Sequence, residues 1–79
     1  MKQRIVCAKA GRDKGNFMVV VEERENYVLL CDGKAHPLSK PKLKNIKHVS
    51  PTNSVVTQEQ LKTDKSLKTA LNEFKTKAD

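Results

Sequence analysis

Four side chains could ligate a metal or act as nucleophile or base: Cys7, Cys31, His36 and His48. Their spacing suits neither chemistry. There is no C-x₂₋₄-C or H-x₃₋₅-H pair to frame a zinc ion. The histidines have no acid or nucleophile at a telling distance, and neither cysteine opens a basic helix start that would favour a thiolate. The run Gly11-Arg12-Asp13-Lys14-Gly15-Asn16 is too short for the phosphate loop of nucleotide hydrolases. The chain therefore reads as a non-enzyme without metal or cofactor. Its cysteines read as reduced, small hydrophobes of a cytoplasmic protein. Facing positions on neighbouring strands could still bring the two sulfurs close.

What the residues do offer is phosphate contact. The chain has 79 residues and a net charge of +7, which favours an anionic partner. Gly11 and Gly15 bracket three charged residues, a loop from which Arg12 and Lys14 can reach a phosphate backbone, with Lys9 at its entrance. Lys2 and Arg4 read either as contacts or as lysine-type protection of a strand edge. Between positions 33 and 58 there is no acid at all, while Lys34, Lys40, Lys42, Lys44 and Lys47 accumulate. Lysine is a point charge that positions a backbone without reading sequence. His36 and His48 can donate to phosphate, stack, or serve as hydrogen-bonded structural residues.

Several short elements must hold these groups in place. Residues 4–10 read as a first strand and 16–23 as a second, with Phe17, Val19 and Val21 facing the core. Phe17 is either core or a base-stacking ring; the scarcity of aromatics favours core. An acidic turn at 22–26, directed away from any phosphate surface because like charges repel, leads to a third strand at 27–31. Asp32-Gly33 signals a tight turn. Pro37 and Pro41 suggest an extended arm between a short fourth strand and a fifth at 46–49. Five short strands with tight turns predict a small, curled barrel.

Residues 53–62 read as a linker between the barrel (1–52) and an amphipathic helix (63–79). Thr63 can cap a helix from Asp64, whose Leu67, Ala70, Leu71 and Phe74 share one face. Thr57 and Gln60 form an earlier capping box, but Asp64 and Lys65 interrupt the stripe, favouring the shorter helix. It reads as a lid on the barrel before a partner-binding helix. No apolar run is long enough to span a membrane, and the N-terminus lacks the apolar core of a signal peptide.

The segment 5–16, the valine strand after it and Asp32-Gly33 resemble a KOW motif: a strand, a basic glycine loop and a second strand around one glycine, here Gly15. Residues 40–48 resemble the basic segment of the short KOW-type proteins of the large ribosomal subunit and their small stand-alone relatives. The likeness covers residues 3–52. It implies an SH3-like β-barrel of five strands that binds structured RNA, most often ribosomal RNA, on the ribosome. By position it implies RNA contact from Lys9, Arg12, Lys14, Gly15, Lys40, Lys42, Lys44, Asn45, Lys47 and His48. Asn16-Phe17-Met18 departs from the pattern, where many such motifs carry a lysine and a further glycine.

Only Phe17, Tyr27 and Phe74 are aromatic, too few for a single-strand stacking platform, so shape and backbone recognition by a monomer is expected. The rival is a protein-interaction module of the transcription or translation machinery, using the helix, and a third possibility is a DNA-binding barrel. An exposed Leu67–Phe74 stripe would favour the first rival; equal affinity for duplex DNA would favour the second.

Overall fold

Three runs rich in β-branched and large apolar residues become the middle of a sheet, and the short connections decide what surrounds it. The computed structural model describes residues 1–77. It contains strands β1 (Arg4–Ala8), β2 (Phe17–Glu23), β3 (Tyr27–Cys31), β4 (Lys42–Asn45) and β5 (Val49–Val55), then helix α1 (Asp64–Lys77). All five strands join one antiparallel sheet in the order β4-β3-β2-β1-β5. The protein is mainly β with one C-terminal helix.

β4 and β5 are the two edges of that sheet, yet only the three-residue 3₁₀ turn Ile46–His48 connects them. Lying flat, five strands at about 4.8 Å spacing would hold those edges about 19 Å apart. A 3₁₀ turn advances only about 2 Å per residue. The sheet therefore curls, and register shifts at Val20/Glu22 and Arg4/Val6 help it bend. No ladder pairs β4 with β5, so the result is a barrel in outline with an open seam.

The curl gives the sheet two apolar faces. On the inside, Val6, Ala8, Met18, Val20, Val28, Leu30 and Val49 are buried together. On the outside, Ile5, Val19, Cys31 and Val56 are buried beneath Leu67, Ala70 and Leu71 of α1. The expected alternation along β2, with one apolar face turned inward, is thus corrected: Met18 and Val20 are as fully buried as Val19. The helix creates a second core for the face that a lone barrel would leave wet. Phe17 lies edge-on to Phe74, with ring centroids 5.1 Å apart, so its ring serves the helix interface. The helix spends its apolar stripe on the sheet as a lid.

Several boundaries differ from expectation, and β1 already ends at Ala8. Residues 46–48 are a 3₁₀ turn and not a strand, because the Asn45 Oδ1 accepts the Lys47 N–H at 2.9 Å and starts the turn. The fifth strand follows at Val49–Val55 and runs into the segment expected as linker. Pro51 is tolerated there because β5 is an edge strand, paired with β1 alone. The short fourth strand, expected ahead of the lysine arm, is instead the second half of the arm itself, Lys42–Asn45.

Both expected caps form. Thr57 and Gln60 exchange hydrogen bonds of 2.9 and 3.2 Å but produce only the 3₁₀ turn Glu59–Leu61. Thr63 Oγ1 accepts the Ser66 N–H at 3.0 Å and opens α1 at Asp64, as expected; positions 78 and 79 of the expected helix lie outside the described residues. Asp64 also ties the helix to the β3–β4 loop, its carboxylate accepting the Leu38 N–H at 2.7 Å. Gly33 permits this approach: its φ is +78°, and any Cβ there would collide with the Asp64 carbonyl.

Candidate nucleic-acid interface

The glycine loop is a closed, self-bonded structure between β1 and β2. Gly15 N–H donates to the Ala8 carbonyl at 2.8 Å and Ala8 N–H donates to the Asn16 carbonyl at 3.0 Å, sealing its base. Within it, Asn16 N–H donates to the Asp13 carbonyl at 2.8 Å and Lys14 N–H to the Gly11 carbonyl at 3.2 Å. Gly11 and Gly15 take φ of +81° and +87°, the left-handed region that glycine enters without penalty. The loop sends its one acid inward and its two cations outward: Asp13 is buried, whereas Arg12 and Lys14 are exposed.

Asp13 is held by two partners from the far side of the sheet. His36 Nε2 lies 3.1 Å from one carboxylate oxygen and Lys42 Nζ 3.0 Å from the other. Burial alone would push the Asp13 carboxyl up, but the paired Lys42 ammonium and the His36 contact, with the charges of both, hold it below its ordinary value. Lys44 makes the second anchor. It is buried at 8 % exposure, and its Nζ donates to the Ala10 carbonyl at 2.9 Å. β4 alternation explains both: in register with Leu30 and Val28, Lys42 and Lys44 share their inward side, while Leu43 points out.

Of the residues expected to face RNA, the fold therefore divides them by role. Lys9, Arg12, Lys14 and Gly15 are exposed on the loop, and Lys47 and His48 are exposed on the 3₁₀ turn. The Lys9 N–H donates to the His48 carbonyl at 2.8 Å, which joins these two groups across the base of the loop. Lys44 is buried, and Lys42, about a third exposed, is paired with Asp13; both brace the loop. Asn45 caps the turn. Lys40 is exposed at the end of a small turn, its N–H on the Pro37 carbonyl at 2.9 Å, with no ion pair among the described residues.

The inward role of Asp13 escaped the sequence reading, although an isolated acid inside a basic glycine loop was a usable signal. His36 likewise resolves to a structural partner of Asp13, one of the roles left open for it. The cysteines are both free. They sit on β1 and β3, which β2 separates, so the disulfide left open above has no neighbouring strands to form across. Burial, followed by the charges of Asp64 and Asp32, pushes the Cys31 thiol up to about 11.

No group of three or more metal-ligating side chains occurs among the described residues, and none of their helices is long and apolar enough to cross a membrane. No protein-family model matches the chain, and no curated protein matches it significantly.

Proposed function

We propose that this protein binds folded RNA through the sugar–phosphate backbone, with ribosomal RNA on the ribosome as the setting that its KOW-like loop suggests. The observation that carries this reading is the convergence of Lys9, Arg12 and Lys14 with Lys47 and His48 at the loop base, all exposed, while the single acid of the loop is buried and neutralised. Cations on a braced loop lose little freedom on meeting phosphates, and each phosphate neutralised releases counterions. The chemistry asks for no catalytic step.

The test compares a folded ribosomal RNA fragment, single-stranded RNA and duplex DNA across a salt series. The variant replaces Arg12, Lys14 and Lys47 with alanine, sparing Lys42 and Lys44 because these hold the loop. Folded RNA is expected to bind tightest, and the variant to lose about one unit of log–log salt slope per lysine or arginine removed. Equal, weak binding to all three that ignores the substitutions would sink the reading. The rival, a protein-docking module, draws support from Tyr27 and Leu43, 44 % and 57 % exposed on the outer side of β3 and β4. That patch is where a partner would be sought in such an outcome.

A further inference from the structure

A second basic surface lies outside the loop and the 3₁₀ turn. A cleft of about 590 Å³ opens between α1 and the β3–β4 loop, floored by Phe17 and Leu71. Lys34 stands on its loop side and Lys65, Lys68 and Lys75 on its helix side. None of the four is in an ion pair among the described residues. Its one acid, Asp32, is turned to the backbone, accepting the N–H groups of Lys34 and His36 at 2.8 and 2.9 Å. Glu73, the acid in the middle of α1, lines other surfaces of the helix and not this cleft.

The row on α1 has a definite shape. At about 100° and 1.5 Å per residue, Lys65, Lys68, Asn72 and Lys75 fall within an arc of about 80° and extend about 15 Å. A single phosphate or a mononucleotide would engage one end of such a row. A polynucleotide strand, which repeats its phosphates along its length, could engage all of it. The cleft adjoins the glycine loop directly, since Asn16, the last loop residue, forms part of its wall.

We propose that this cleft is a second backbone-binding tract, which takes the RNA strand as it leaves the glycine loop and carries it along α1. The inference rests on the RNA-binding reading above and extends its footprint to Lys34, Lys65, Lys68 and Lys75. It gives the helix a function beyond covering the outer core: one face packs and the adjoining face holds phosphates.

The test uses an RNA hairpin with a single-stranded tail and measures affinity by fluorescence anisotropy across a salt series. Three full-length proteins are compared: the parent, K65A/K68A/K75A, and R12A/K14A/K47A, with circular dichroism melts to establish that each is folded. The helix triple is expected to bind roughly tenfold or more weakly, with a salt slope shallower by about 2. An unchanged slope in the helix triple, beside a weakened loop triple, overturns the cleft and leaves the RNA reading standing. A weakened helix triple beside an unaffected loop triple supports the cleft and removes the loop from the site. If neither triple differs from the parent, both proposals fall. Should the helix triple melt early, K65Q/K75Q, at exposed positions, gives the same readout with an expected slope change of about 1.4.

Discussion

Lys44 places its buried ammonium 2.9 Å from the Ala10 carbonyl, so a cation from the edge strand β4 holds the entrance of the glycine loop. Position and contact are then separable by experiment. Lys44→Met keeps the volume and loses the hydrogen bond. It is expected to weaken RNA binding while leaving the salt slope unchanged, and to speed amide exchange at Lys14, Gly15 and Asn16. A slope reduced by about 1 would instead mark Lys44 as a phosphate ligand.

Asp13 makes stability depend on pH. Its carboxyl titrates lower in the folded than in the unfolded chain, so its contribution is complete above the ordinary value of 3.8 and drains away as pH falls from there through the folded value. Asp13→Asn is expected to cost about 1–3 kcal/mol at neutral pH, leaving His36 and Lys42 without their anion. Chemical denaturation at neutral and acid pH checks this: the two proteins should differ at neutral pH and converge in acid. A constant gap at every pH would show that the carboxylate charge is immaterial.

The glycines predict a contrast. Gly15 has open space where a Cβ would sit, so Gly15→Ala carries only the left-handed strain of about 1–2 kcal/mol. Gly33→Ala carries the same strain plus a collision with the Asp64 backbone, and must push α1 from the β3–β4 loop. Thermal melts should rank Gly33→Ala well below Gly15→Ala; equal melting temperatures would mean that the helix start gives way freely.

Much of the sheet and helix was legible in local sequence. The valines of β2, the apolar run of β3 and the Leu67–Phe74 stripe each carry their own periodicity. β5 was not legible, because Ser50, Pro51, Thr52, Asn53 and Ser54 resemble a linker. They are a strand only because β1 lies beside them, as when Thr52 Oγ1 donates to the Ile5 carbonyl at 2.7 Å. The candidate interface divides the same way. Lys9, Arg12 and Lys14 could be placed from the loop alone, but the inward turn of Lys42 and Lys44 depends on Asp13 and Ala10, contacts far away in the chain. A lysine run shows charge, not which members are spent inside.

The outer core predicts the weight of the helix. Leu67 is fully buried and Leu71 nearly so, both against the sheet. Leu67→Ala is expected to lower stability by about 2–5 kcal/mol. In a domain of this size that should approach global unfolding. Urea melts followed by far-ultraviolet dichroism check it, and a loss under about 1 kcal/mol would mean that the sheet stands without its lid.

Cys31 provides a probe of the same core. Buried, with a thiol held up at about 11, it should resist disulfide reagents in the folded protein and react on unfolding. Mass spectrometry after native labelling should find the label absent from Cys31. Rapid labelling there would show that α1 lifts from the sheet on the reagent's timescale.

The open seam leaves two strand edges that could template pairing with another molecule, the usual first step toward polymeric β-structure. Each edge carries its own deterrent. On β4 the inward lysines would be stranded without their partners if a foreign strand flattened the curl, and on β5 Pro51 supplies no N–H to a newcomer. The lysines that brace the glycine loop thus also make β4 a poor edge for a flat, extended sheet.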